Sequence, residues 1–574
     1  MITWGLKWKG ALLGAAVLAA VAGPARIAAA AGCGDLNNDG ARTIADAVRL
    51  QRALFVPNPA DCGGTGSASC GDVNPSSPGL GVDDTVVLQA SLNNKPTLFS
   101  LCTGVGTTPC TASAGTGAGG ESWTTRATKT GTIGANEHWI AGCRVDIDGL
   151  VFVASGVTIT IDPGALVVGK SPPSAGNGGP TNVSALIFLR GSKINAVGTP
   201  AQPILMSSSP HVDANNGAPG DWGGLTVNGA APVNCPSGEC LAEGLVGVPF
   251  GGSNPNDSSG QLEYLRVEFS GRELTPDNEL NVITINGVGA GTIWDHALAN
   301  VGFDDCHEWF GGTVNGKFLV SSGCGDDVMD TQLGTTGKFQ YYLGIWANQF
   351  MQNAGNHGFE WDNNENGFDL LPRNAPKICN VTLIGTHQQT NTVNENSERG
   401  SNLRRGTAGI IANAIVEHMR NVGLLVTDNA TAAQACPPAT GLVVEHSLLF
   451  DNGNDPPSGG PVQVTGNWTS PCTPAAWYAS LTAVNPASPS ANGSDPLTPI
   501  IYGTGVPGAQ TDLNQFIPQG GSPGVASQPL VNSLAMDCKT IDPFFDTTNY
   551  VGAFRPGDPA SNWLTSPWIS FRVK

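Results

Sequence analysis

Two aspartate pairs, Asp304-Asp305 in GFDDCHEWFGG and Asp326-Asp327 in CGDDVMDTQLG, stand 22 residues apart. A spacing of this size is the length of one coil of a parallel-strand solenoid, whose coils run about 20 to 30 residues and bury their apolar faces only against their neighbours. Like residues then stack on like. Stacked carboxylates repel one another, so the column needs cations, arginines, protonation or a solvated face to be tolerable. A β-sandwich also yields alternating strands, but it does not predict matching motifs at coil-length offsets.

The rest of the chain supports a mainly β solenoid. At 574 residues it is too long for one ordinary globular core, whereas a solenoid core grows in one dimension. With 77 Gly, 41 Pro and only 13% charged residues, it suits short strands joined by tight turns. From Val151 onward, β-branched runs such as VFVASGVTITIDPGALVVG and SALIFLRGSKINAVG alternate with Gly and Pro turns. Val-Glu-His occurs twice, placing His418 and His446 at an offset of 28. Residues 452–530 are rich in Pro, Gly, Ser and Asn and read as an excursion from the coil, and the aromatic NWLTSPWISF reads as a cap on its open end.

Charge and cysteines bear on location and partners. A net charge of −19 argues against nucleic acid, which is held by clustered Lys and Arg. Lys7 and Lys9, the apolar stretch 11–21 and Ala29, Ala30 and Ala31 read as a signal peptide over residues 1–31, cleaved before Gly32. Cys33 raises the alternative of a lipid anchor, although Ala30 stands where such a signal carries leucine. No later apolar run is long enough to span a bilayer. All 14 cysteines follow residue 31, an even number in an exported chain, so disulfides are expected; Cys235 with Cys240 and Cys436 with Cys472 are the local pairings considered.

Residues 33–100 form a separate module. In GDLNNDGARTIADAVRLQRAL, Asp35, Asn37, Asp39, Thr43 and Asp46 occupy loop positions one, three, five, nine and twelve, with Gly40 at six, a spacing that wraps oxygens around Ca²⁺ before a helix. A degenerate second copy keeps Asp72, Asn74 and Asp84. The duplicated loop-helix unit resembles the dockerin type I module, which implies docking onto a scaffold protein; a calcium-stabilised stalk is the alternative. Residues 101–140, rich in Thr, Gly and Ser, are expected to be a linker.

Over residues 141–574, the segments GVTITIDPGALVVGK, GDWGGLTVNG, DDCHEWFGGTVNGKFLV, GFEWDNNENG and YVGAFRPGDPASNWLTSPW resemble bacterial secreted right-handed parallel β-helix proteins. The resemblance implies that fold and an envelope or extracellular location. It carries over no catalytic residue.

If the 22-residue register holds, Asp304 stacks near Asp326, Asp305 near Asp327 and Glu308 near Asp330, with HEW repeated as FEW at Glu360-Trp361 and Asp362 beyond. Such a column would suit Ca²⁺ through Asp305, Asp327 and Asp330, or else half its members face solvent and cap turns. FDDC is similar to an element of polygalacturonase-type glycoside hydrolases, making Asp304, Asp305, Asp326 and Asp327 candidate acid and base groups, but the companion motifs of that family are not matched in order. A lyase base could come from His307, His357, Arg373, Arg399, Arg404 or Arg405; the alternative is that the arginines simply pair with acids. His307, His357, His418 and His446 lack a recognisable metal-ligand spacing. Trp309, Trp361, Tyr341 and Tyr342 could stack sugars or fill the core. The expectation is therefore a secreted, calcium-stabilised binding or structural protein that engages polysaccharide or a cell-surface or scaffold protein, with a polysaccharide lyase or glycoside hydrolase as the rival.

Overall fold

A computed structural model describes residues 107–450 apart from 175–176, 178–181, 276–277, 347–355, 386–398 and 437–440, followed by 452, 462–464, 482–484, 513–518 and 535–571 without 566. The signal-peptide segment and the dockerin-like module, with Asp35, Asn37, Asp39, Thr43, Asp46, Asp72, Asn74 and Asp84, lie outside the described residues.

Among the described residues the chain winds through two stacks of parallel strands, an 11-stranded and a 16-stranded sheet. From Ile283 to Ile384 successive strands alternate between the two, so each coil supplies one strand to each sheet. Ile283–Asn286, His307–Phe310, Met329–Gln332 and His357–Asp362 are neighbours in the smaller sheet, and Ile293–Asn300, Asn315–Ser322, Lys338–Ile345 and Lys377–Ile384 are neighbours in the larger. His307 is in register with Met329, so the coil at the aspartate pairs is 22 residues long, as their spacing predicts. The interior is a continuous apolar core running from Ile133 to Leu449, with Trp139, Trp222, Trp309 and Trp361 fully buried.

The long strands of the larger sheet bend at one residue in the left-handed region. Tyr264, His296, Phe318, Tyr341, Asn380, Asn413 and His446 all have φ between 49° and 61° and occupy successive coils. Asn and His tolerate this region better than most residues, whereas for Tyr and Phe it is costly. Here the aromatic corners stack: Tyr264 on His296 at 4.2 Å, His296 on Phe318 at 4.4 Å and Phe318 on Tyr341 at 4.7 Å. The corners also explain the Val-Glu-His repeat. Glu445 is in register with Ala412 rather than Glu417, an offset of 33, so the two copies occupy different corners that both require a left-handed residue after Glu.

Three expectations change. Residues 107–140 are not a linker. Thr111–Thr116 and Ser122–Lys129 form an antiparallel hairpin whose second strand pairs parallel with Cys143–Ile147, and Cys110–Cys143 ties it down; its threonines act as strand formers. The stretch 452–530 is not wholly an excursion, since Val462–Val464 and Thr482–Val484 continue the two sheets. The C-terminal aromatics do not cap the open end. Trp563 and Trp568 lie along the outer face of the larger sheet, edge-on to Phe318 and Tyr264, and Cys379–Cys538 anchors this return segment across 159 residues. Cys235–Cys240 is a disulfide, as its spacing suggests, and Cys306–Cys324 and a bonded Cys436 add to the set; Cys472 lies outside the described residues.

Candidate acidic cation centre

Strand alternation sorts the residues of the two aspartate motifs onto opposite faces. His307, Trp309, Met329, Phe359 and Trp361 point into the core, and the intervening Glu308, Asp330 and Glu360 stack in register on the outer face, one per coil, with Asn402 next. Asp304-Asp305 and Asp326-Asp327 occupy the turns leading into their strands. Those two turns are cross-linked by Cys306–Cys324, which follows one pair and precedes the other. A further chain of bonds passes from coil to coil: Asp327 N–H donates to Asp305 Oδ1 at 2.8 Å, and His357 N–H donates to Asp327 Oδ1.

Instead of half the acids facing solvent, Asp305, Glu308, Asp327, Asp330, Glu360 and Asp362 are buried and Asp304 and Asp326 half-buried. Burial, then mutual repulsion, pushes the Asp304, Asp305, Glu308, Asp327 and Asp330 carboxyls well above the usual range, and Asp326 to about 7. Two more acids press on the cluster from excursions of the chain. Glu279 and Glu243 raise Asp304, and Glu243 is itself raised to about 7 by burial and by Glu279.

The cluster has a compensated end and an uncompensated one. At the first, Arg404 Nε donates to Asp362 Oδ1 at 2.8 Å, its Nη2 reaches Glu360 Oε1, and Arg405 Nη1 donates to Asp362 Oδ2 at 2.7 Å. Arg399 Nη1 donates to His357 Nε2 at 3.1 Å, which leaves Nδ1 to carry the ring proton toward Asp327 at 3.0 Å and Glu360 at 2.7 Å. Burial resists ionisation of Glu360, yet His357, its hydrogen bond and Arg404 hold that carboxyl down to about 2. Gly358 and Gly400 mark close approach of neighbouring coils here, since a Cβ on Gly358 would lie 2.3 Å from Gly400 O and one on Gly400 2.2 Å from Gly423 O.

At the other end, Asp304, Asp305, Glu308, Asp326 and Asp330 make no ion pair within 4 Å among the described residues. Glu308 accepts from Asn281 Nδ2 and, at 3.1 Å, from Gln332 Nε2. Asp326 Oδ1 and Asp330 Oδ1 are enclosed with no hydrogen-bond partner among the described residues. Oxygens of Asp304, Asp305 and Asp326 lie within 4.8 Å of one another, as do those of Asp305, Glu308 and Asp330, so each triad is compact enough to surround one ion.

Other sequence candidates are placed elsewhere. His307 faces the core, stacked on Trp309 at 5.3 Å with Nδ1 2.9 Å from Ser321 Oγ, and burial lowers it to about 3. Arg373 is held by the carbonyls of Phe368 and Gly406 and by Asp369. Trp309, Trp361 and Tyr342 fill the core rather than form a platform, and Tyr341 belongs to the stacked corner. Glu243, Glu279, Asn281 and Gln332 escape sequence reasoning. Glu243 and Glu279 stand in excursions without coil periodicity, and nothing in their local sequence marks them, whereas Asn281 holds the position of Asp305 one coil earlier and accepts the Asp305 N–H at 3.2 Å.

A family model for the pectate-lyase-like β-helix domain matches residues 131–450, more than half of the chain. Parallel stacked sheets define the class as a parallel β-helix, and the chain belongs to the pectate-lyase-like β-helix domain family. That domain fits a polysaccharide-related protein. No curated protein matches the chain, and no solved structure does. No helix among the described residues is long and apolar enough to cross a membrane.

Proposed function

We propose that this is an exported, calcium-stabilised β-helix protein that binds polysaccharide, or a partner at the cell surface, without cleaving it. The observation that carries the reading is enclosure of the acids: Asp305, Asp327 and Asp330 are 6%, 4% and 7% exposed. Glycosidic cleavage needs an acid and a second carboxylate flanking the scissile bond, and carboxylates sealed in the wall of a solenoid cannot flank it. The groups a lyase would recruit are also engaged, since Arg399 and His357 bond to each other, Arg404 and Arg405 bond to carboxylates, and Arg373 is bound to two carbonyls. Calcium would be held by the acidic column, at Asp305 and Asp330, and by the loop of Asp35, Asn37, Asp39, Thr43 and Asp46.

The test is to incubate the secreted protein, with calcium present, against a panel of acidic and neutral polysaccharides. Retardation in affinity electrophoresis should occur with no release of reducing or unsaturated ends. Release of either, lost in Asp305→Asn or Arg399→Ala, would replace this reading with a hydrolase or lyase.

A further inference from the structure

We infer that the uncompensated end of the acidic column holds two hard divalent cations of the calcium class side by side, bridged by Asp305: one among Asp304, Asp305 and Asp326, the other among Asp305, Glu308 and Asp330. The inference deepens the reading of the column as a calcium site and rests on it.

The five carboxylates fall into two compact triads rather than one, and Asp305 is the residue they share. Calcium binds oxygen at about 2.3–2.6 Å, so ligands on opposite sides of one ion stand about 4.8 Å apart. The oxygens of each triad meet that limit. Asp304 and Glu308 lie at the two ends of a turn-and-strand segment, in different triads, where two ions serve them both. Charge points the same way, because two divalent ions nearly balance five carboxylates. An independent sign of a missing ligand is Asp330, 7% exposed, whose enclosed Oδ1 has no donor among the described residues, and Asp326 Oδ1 in the other triad is in the same condition. A buried carboxylate oxygen without a partner is destabilising, and metal coordination satisfies it. All-carboxylate donors select Ca²⁺, Mg²⁺ or Mn²⁺ over softer ions. Asp327 belongs to neither triad; His357 takes its carboxylate instead.

The test counts ions in the full mature protein. After removal of metal by chelation, saturation with Ca²⁺ and desalting, bound calcium per chain is measured for the parent and for Asp305→Asn, Asp326→Asn and Asp330→Asn. Ions held by the N-terminal loops cancel in the differences. Asp305→Asn should lose two ions, and Asp326→Asn and Asp330→Asn one each. Equal losses in Asp305→Asn and Asp330→Asn would overturn the bridged pair while leaving a single calcium site. No loss in any variant would overturn both, and the column would then be held by shared protons. A second measurement needs no variant to fold: the parent saturated with Mn²⁺ should show an exchange-coupled electron paramagnetic resonance component. Isolated six-line spectra alone would overturn the pair. Polysaccharide retention is scored separately, so failure of the binding function is distinguishable from failure of the ion pair.

Discussion

Asp305 accepts the backbone N–H of Asp327 at 2.8 Å, joining the carboxylate of one coil to the main chain of the next. Asp327 repeats the arrangement on His357. The acids are thus both a burden on the fold, through repulsion, and part of the ladder that registers it.

Removing the second link exposes this dual role. Asp327→Ala removes the acceptor of the His357 backbone N–H and one of the two acceptors of its ring Nδ1, which keeps Glu360. The expected cost is about 1–3 kcal/mol, with a smaller cost for Asp327→Asn, which keeps an acceptor oxygen. Urea denaturation of both variants checks it; equal losses would mean that the charge, and not the acceptor, matters.

Arg404 neutralises the compensated end, where it meets both Glu360 and Asp362. Arg404→Ala leaves Glu360 to its ion pair with His357 and Asp362 to that with Arg405, and a loss of about 3 kcal/mol is expected, the low end for a broken buried pair because those partners remain and Arg404 is itself partly exposed. Arg404→Lys should recover only part, since an ammonium cannot span both acids with a planar fork. Denaturation midpoints at matched calcium would show this.

The returning C-terminal segment is held by the Cys379–Cys538 cross-link and by aromatic anchors, Trp563 and Trp568. Replacing Cys379 and Cys538 by Ala opens a loop of 159 residues, for which chain entropy predicts a loss of roughly 5 kcal/mol at most. Trp568→Ala removes a fully buried ring packed on Tyr264 and His296 and should cost about 3–5 kcal/mol. Limited proteolysis should then cleave the segment while the coils remain protected.

His211 gives a dependence on pH away from the acidic column. Burial lowers its affinity for a proton, Glu268 and Asp221 oppose that shift and Arg266 adds to it, while Glu121 lies 3.4 Å away. A lowered histidine contributes stability that is present above its ordinary value, about 6.5, and is lost as pH falls through the folded value. The slope cannot exceed about 1.4 kcal/mol per pH unit for this one group. Melting temperatures between pH 8 and about 5 should fall less steeply in His211→Gln than in the parent.

The parallel solenoid and the 22-residue register of Asp304, Asp305 and Glu308 on Asp326, Asp327 and Asp330 were determined by the sequence, because stacked coils force like positions to recur. The pairing of Cys235 with Cys240 was also legible from spacing. The 28-residue offset of Val-Glu-His misled because two different corners share one backbone demand. Strand alternation implied that His307 and Glu308 diverge, but only the tertiary structure decided that the histidine enters the core and the acid does not. It also decided that the outer face is enclosed, and that Glu243 and Glu279, on excursions far from the coil repeat, press their charge on Asp304. Burial and ion pairing depend on contacts between coils and excursions that local periodicity does not encode. For the same reason the C-terminal aromatics, an end cap by composition, became a lateral strap: their partners Tyr264 and Phe318 are set by where the chain returns in space.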